Sequence, residues 1–318
     1  MNRREFLAGA AAAPFALRGE LARAAAPPIA LVTADAQSAV VAVDPFRGRV
    51  LGRRATESDP RSIERVGATA VIAHTAVGAV TLMHGPSLEI RHVLRSFDEP
   101  RYTAASPDGR HAFVTDSGRA NVVVVDVARG HTIARLHLGG WPRHLSLDLD
   151  GRLLWIALGT EAREIAVVDV SKPARPRLMA RVKPPFLAHD VGFAPDGRQV
   201  WVTSGDRGAL AVYDARRGEV IRRLAAGAPP QHVAFYGDNV YVTSGDDGTF
   251  RVQSLGDGRV LRTIDVPRGS YNVQQGWGRI LTPSLSRGTL SVLDTRGRLL
   301  RRLRVASSSH DACFMMSA

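Results

Sequence analysis

A short unit recurs along this chain at a spacing near 40 residues, and that period restricts the fold more than any other feature. Its clearest copy runs from Ser106 to Arg143. It opens on the turn Ser106-Pro107-Asp108-Gly109 and continues through His111 to Asp116, Asn121 to Asp126 and Thr132 to Leu138. It leaves through Gly140-Trp141-Pro142-Arg143. Counted from the residue after each proline or its equivalent, units begin at Arg61, Arg101, Arg143, His189, Gln231, Tyr271 and His310. The intervals are 40, 42, 46, 42, 40 and 39 residues.

Four short strands per unit at this period are the signature of a β-propeller. The seventh unit is incomplete, because only one apolar strand, Ala312 to Met316, follows His310-Asp311. Three strands without an inner partner stand at the other end: Ala30–Asp35, Ala39–Asp44 and Arg49–Arg54. The sequence therefore predicts an all-β, seven-bladed propeller over residues 27–318. One blade is closed by the C-terminal inner strand pairing with the N-terminal strands. Such closure removes the open edges of a linear repeat array.

Local chemistry agrees. Asp108-Gly109, Asp150-Gly151 and Asp196-Gly197 supply the positive φ of a tight hairpin. An aspartate closes the third strand at Asp44, Asp126, Asp169, Asp214 and Asp294, where it can bond its own following backbone. Val122 to Val125 is apolar on both faces, as a strand packed between two neighbouring blades requires. No long stretch shows helical periodicity.

Residues 1–26 stand outside the repeats. Arg3-Arg4-Glu5-Phe6-Leu7 has the pattern of a twin-arginine export signal, followed by a weakly apolar run from Ala8 to Leu17 and an A-x-A-like site at Ala22-Arg23-Ala24. The run is too short for a stable membrane anchor. The expectation is a removable signal and a mature protein that is periplasmic or secreted, with no stable membrane insertion.

The formal charge of +12 rests almost wholly on arginine, since Lys172 and Lys183 are the only lysines. The arginines scatter over turns and outer strands, for example Arg216, Arg217, Arg222, Arg223, Arg301 and Arg302, with no interleaved aromatic platform. That argues against a nucleic-acid partner. The single cysteine, Cys313, lies in an apolar strand and reads as a buried small hydrophobe.

Ser106-Pro107-Asp108-Gly109, together with Phe113-Val114-Thr115-Asp116, Trp201-Val202-Thr203-Ser204 and Tyr241-Val242-Thr243-Ser244, resembles the YVTN family of seven-bladed propellers, with Ser or Asp replacing the family's Asn. The resemblance covers roughly residues 29–318. It implies the architecture and says little of function. Propellers of this kind include surface-layer and periplasmic proteins of unassigned role, and the same architecture serves lactonases, a streptogramin lyase, methylamine dehydrogenase and haem-d1-binding domains. Fold does not imply function.

Propellers converge on a central channel, and the residues opening each unit crowd one mouth of it. Here they are Arg61-Ser62, Arg101-Tyr102, Arg143-His144, His189-Asp190, Gln231-His232, Tyr271-Asn272 and His310-Asp311. None is aliphatic. Polar groups gathered at a funnel are what a binding site needs. Arg61, Arg101 and Arg143 fall on consecutive blades and suit a carboxylate or phosphate. His189, Asp190, His232, His310 and Asp311 fall on the other side, with His144 between; they suit a divalent metal or acid–base chemistry, and the resemblance to haem-binding propellers adds a haem-type ligand to the candidate cofactors. Because neighbours in a strand point to opposite sides, one member of each pair is expected in the channel. Polar residues that merely hydrate the channel are the bland alternative. The primary expectation is an exported propeller that binds an anionic small molecule or cofactor at the channel mouth. The alternatives are a lyase, lactonase or oxidoreductase with His189, His232 and His310 as acid, base or metal ligands, and a scaffold for a periplasmic partner protein. His74, His84, His92, His111, His131 and His137 are assigned to packing or surface roles. No Walker loop, dinucleotide fingerprint or G-x-S-x-G elbow is present.

Overall fold

The computed structural model describes residues 27–159 and 163–316. The signal-peptide reading of residues 1–26 lies outside them. Among the described residues, twenty-eight strands form seven four-stranded antiparallel sheets. Blade 1 has the order β28-β1-β2-β3, with β28 (Ala312–Met315) innermost, then β1 (Ile29–Ala34), β2 (Ala39–Asp44) and β3 (Arg49–Ala55). Blades 2 to 7 follow in chain order. Their inner strands are β4 (Pro60–Val66), β8 (Pro100–Ala105), β12 (Leu145–Leu147), β16 (Val191–Phe193), β20 (Val233–Tyr236) and β24 (Gln274–Gly276). The closure is as the orphan strands predicted: Val32 pairs with Ala312 and Ile29 with Met315.

Apolar clusters fill the space between blades. One cluster joins Trp155 and Ile165 of blade 4 to Val200 and Tyr213 of blade 5, with the Trp155 and Tyr213 rings 5.7 Å apart. Each such fully buried side chain contributes about 1.5–3 kcal/mol. The third-strand aspartates do bond forward: Asp214 Oδ1 accepts the N–H groups of Arg216 and Arg217, both at 2.9 Å. Gly109 takes φ +66° in the predicted hairpin. The outermost strands are largely exposed, and β27 (Leu299–Arg304) carries Arg301, Arg302 and Arg304. Charge on an outer edge discourages edge-to-edge association, which gives part of the net charge a structural purpose. Cys313 is buried, as expected.

At the candidate ring the inner ladders break. A bulge between Pro60 and Ser62 interrupts the pairing of β4 with β5 (Thr69–His74), and another between Pro100 and Thr103 interrupts that of β8 with β9 (His111–Asp116). In blades 1, 4, 5, 6 and 7 the inner strand begins only after the pair. Bulges re-aim side chains, and the backbone groups they free need other partners.

Candidate functional site

Those partners form a closed circuit. The carbonyl of the first residue of every pair accepts a hydrogen bond from a side chain of the preceding blade. His310 Nδ1 bonds the Arg61 carbonyl at 2.6 Å, and Ser62 Oγ bonds that of Arg101. Thr115 Oγ1 reaches Arg143 at 2.7 Å, and His144 Nδ1 reaches His189 at 2.6 Å. Thr203 Oγ1 reaches Gln231 at 2.8 Å, and Thr243 Oγ1 reaches Tyr271. Asn272 Nδ2 reaches His310 at 2.8 Å and completes the circle. Thr115, Thr203 and Thr243 also accept the N–H of Tyr102, Asp190 and His232 in their own blades. They are the threonines of the YVTN-like strands, so the motif staples the ring. Two aspartates add a second belt: Asp311 Oδ2 accepts Ile63 N–H and Asp190 Oδ2 accepts Val233 N–H, each at 3.0 Å.

The circuit sorts the candidates. Ser62, Asn272 and His310 are occupied in joining blades. Gln231 and Tyr271 both grip Asp246, through Nε2 at 3.3 Å and the phenol at 2.7 Å. Asp190 and Asp311 are committed to backbone N–H groups. Seven candidates keep free capacity: Arg61, Arg101, Tyr102, Arg143, His144, His189 and His232.

The channel divides at the ring. A cavity of about 400 Å³ is lined by the second member of every pair: Ser62, Tyr102, His144, Asp190, His232, Asn272 and Asp311. No first member lines it. It extends along the inner strands to Leu149 and Pro195, in the turns leading to the second strands. The cavity therefore opens away from the arginines, toward the opposite end of the channel. The first members hold the arginine end.

At the arginine end, the guanidinium carbons of Arg101 and Arg143 stand 4.5 and 5.1 Å from the ring centre of Trp141. Glu99 Oε2 accepts from Arg101 and from the Trp141 indole, both at 3.2 Å. Arg61 has a long ion pair to Asp35 at 3.9 Å. Arg143 has no acidic partner among the described residues, and burial lowers the pKa of its guanidinium. The Nε atoms of Arg101 and Arg143 are buried without a hydrogen-bond partner.

Between the two ends, four rings from blades 3 to 6 converge. The His144 ring centre is 3.8 Å from Tyr102, 4.3 Å from His232 and 4.7 Å from His189. Burial lowers the pKa of His144 and of His189 well below the ordinary imidazole value, with nearby charged and histidine side chains adding to it. Burial does the same to His310, followed by Arg61. Burial pushes the Tyr102 phenol up to about 12. The Asp311 carboxyl is pushed up to about 6, and that of Glu64, in the cavity wall, to about 8. His310 stands apart from the other histidines; its nearest aromatic neighbour is Tyr271 at 6.5 Å.

Sequence reasoning missed Glu64, Trp141 and the stapling threonines. Glu64 had a signal, since it lies two residues beyond Ser62 on the same inner strand. Trp141 had one too, directly before the Pro142-Arg143 exit.

A channel-bearing seven-bladed β-propeller with a polar, histidine-rich constriction is the class this fold and site define. Within it, the chain belongs to the family described as outer membrane protein assembly factor BamB, whose model matches residues 144–308, just over half of the sequence. The YVTN likeness remains a resemblance of turns and strands. The uncharacterized protein YncE of Salmonella typhimurium is 24% identical over 219 residues, covering 63% of this chain; the chain spans 61% of that relative's length. A functionally unknown protein from Desulfotomaculum acetoxidans superposes with TM-score 0.79 at 11% identity, covering 92% of this chain and all of that one. The dihydro-heme d1 dehydrogenase NirN in complex with DHE superposes with TM-score 0.65 at 16% identity, over 87% of this chain and 63% of that one. These structural likenesses concern the fold alone.

Proposed function

We propose that the protein is an exported propeller that binds an anionic small molecule or anionic cofactor at the arginine end of its channel. The observation that carries the reading is Arg143. Its guanidinium lies against Trp141 with no acidic partner among the described residues and with a buried, unbonded Nε. Arg101 shares the same aromatic plate and the same orphaned Nε. A buried donor left unpaired costs about 1–3 kcal/mol, and two neighbouring cations repel. One carboxylate or phosphate bridging both would remove both penalties, because the guanidinium fork matches such anions bidentately. Export is supported by the Arg3-Arg4 pattern and by a family description that places its namesake in outer membrane assembly. The DHE complex of a similarly shaped propeller supports keeping a cofactor among the candidate ligands.

The test is calorimetric titration of the purified mature protein with citrate, inorganic phosphate and a haem-type dianion. Saturable binding that Arg143→Ala abolishes is the expected result. Absence of binding for all three, or binding indifferent to Arg143→Ala, would sink the reading. In that event the family description favours the scaffold alternative, in which the outer rims hold a partner protein.

A further inference from the structure

We propose that His144, His189 and His232 form a binding site for a late first-row divalent cation of the zinc class, set in the channel between the arginine end and the cavity. Each histidine can offer one ring nitrogen such that the three lie within 4.8 Å of one another. They come from three consecutive blades, so the circuit that fixes the blades also fixes their spacing.

The ring nitrogens are assigned by their partners. His144 Nδ1 faces the His189 carbonyl at 2.6 Å, and a carbonyl only accepts; Nδ1 therefore carries the proton. Nε2 is left with a lone pair, buried and without a hydrogen-bond partner. His232 Nδ1 lies 3.4 Å from Asp190 Oδ2. Asp190 is itself held by the N–H groups of Val191 and Val233. A carboxylate behind an imidazole is the usual arrangement that orients a metal-binding histidine and presents its other nitrogen. The His189 side chain makes no hydrogen bond among the described residues, although it lies in the same cluster.

A purely packing role fits these facts poorly. It would leave the His144 lone pair desolvated and would give His232 an orienting carboxylate with nothing to orient it toward. Three neutral nitrogen donors favour zinc, copper or nickel over magnesium or calcium. Tetrahedral zinc holds imidazole nitrogens at about 2.0–2.1 Å, so its ligands stand roughly 3.3 Å apart. Small rotations of the three rings close that gap. Three protein ligands leave a fourth position open, and the cavity reaches both His144 and His232, which gives water or a small ligand access to it. His310 is outside the group because its ring lies away from the other three, beside Tyr271.

This site uses imidazoles rather than guanidiniums, so it stands or falls independently of the anion reading. The experiment is calorimetric titration of chelator-stripped mature protein with zinc, paired with the visible spectrum of the cobalt(II) form. One zinc per chain and an intense tetrahedral cobalt spectrum are expected. Asp190→Asn should weaken zinc binding about 10–100-fold by releasing His232, and His189→Ala should weaken it further. Arg216→Ala, exposed in an outer turn, should leave zinc affinity unchanged. Absence of stoichiometric binding, or wild-type affinity in His189→Ala, overturns the proposal. Should His189→Ala fail to fold, the wild-type cobalt spectrum decides: tetrahedral absorption supports the site, and weak octahedral absorption overturns it.

Discussion

His310 Nδ1 donates to the carbonyl of Arg61 at 2.6 Å, across the joint between the last strand of the chain and blade 2. The same joint carries the bond from the Ile63 N–H to the Asp311 carboxylate. Blade 1 is assembled from both ends of the sequence, so this joint bears the closure of the whole ring. His310→Ala leaves the Arg61 carbonyl without its donor and should cost about 1–3 kcal/mol in urea unfolding. His189→Ala, whose ring bonds nothing among the described residues, should cost less. If His310→Ala unfolds like wild type, the latch contributes nothing to closure.

Thr203 and Thr282 occupy equivalent second strands but differ in bonding. Thr203 Oγ1 donates to Gln231 and accepts from Asp190 N–H, whereas Thr282 Oγ1 is buried with no partner. Substitution by valine keeps the shape and removes the hydroxyl. Thr203→Val strands two backbone groups and should cost about 2–4 kcal/mol. Thr282→Val strands nothing and should be neutral or stabilising. Thermal melts of the two variants side by side check the contrast; equal losses would show that the hydroxyls do not staple the ring.

The architecture was legible because a propeller repeats its backbone program, and each copy rewrites the same turn and strand signals. The seven ring pairs were legible for the same reason. Their division of labour was not. The circuit is made to backbone carbonyls, which look alike under Arg61, Gln231 or Tyr271, so residue type gives no hint of which side chain is occupied. His144 and His310 are the same amino acid on blades 4 and 1, and each gives its Nδ1 to the next blade's carbonyl. One keeps a free buried nitrogen at the centre of an aromatic cluster, while the other serves the closing joint. The alternation within each pair was readable, but not that the cavity would open away from the arginines. That depends on how four rings from blades 3 to 6 pack across the channel.

Burial pushes the Glu64 carboxyl up to about 8, and the neighbouring Asp311 carboxylate raises it further toward that value. Below the ordinary value of 4.5 both folded and unfolded chains hold the proton. Between 4.5 and 8 the folded chain holds a proton that the unfolded chain has lost, so stability falls as pH rises and levels off above 8. Asp311 acts with the same sign but finishes near pH 6. His144, His189 and His310, whose burial lowers the pKa from 6.5, act with the opposite sign up to that value, so the interval from 6.5 to 8 belongs to Glu64. Glu64→Gln should flatten the decline of melting temperature across that interval. An unchanged slope in the variant would assign the decline to another group.

The C-terminal strand should be separable from the rest and restorable in trans. β28 places Ala312, Cys313, Phe314 and Met315 in the interior, all at most 5% exposed. It also covers the inner edge of β1, from Ile29 opposite Met315 to Val32 opposite Ala312. A chain ending at Ser308 loses both the His310 latch and the Asp311 bond, and exposes β1 as an open apolar edge. Burial of Phe314 and Met315 alone is worth about 1.5–3 kcal/mol each, so the truncated protein should melt at lower temperature and self-associate through β1. A synthetic peptide spanning Ser309 to Met316 can add back as a strand, with main-chain bonds supplying affinity and the alternate side chains supplying register. Size-exclusion chromatography should show the oligomers collapsing to monomer as peptide is added, with the melting temperature rising in parallel. A truncated chain that stays monomeric and as stable as the full one would mean that the ring closes without its last strand.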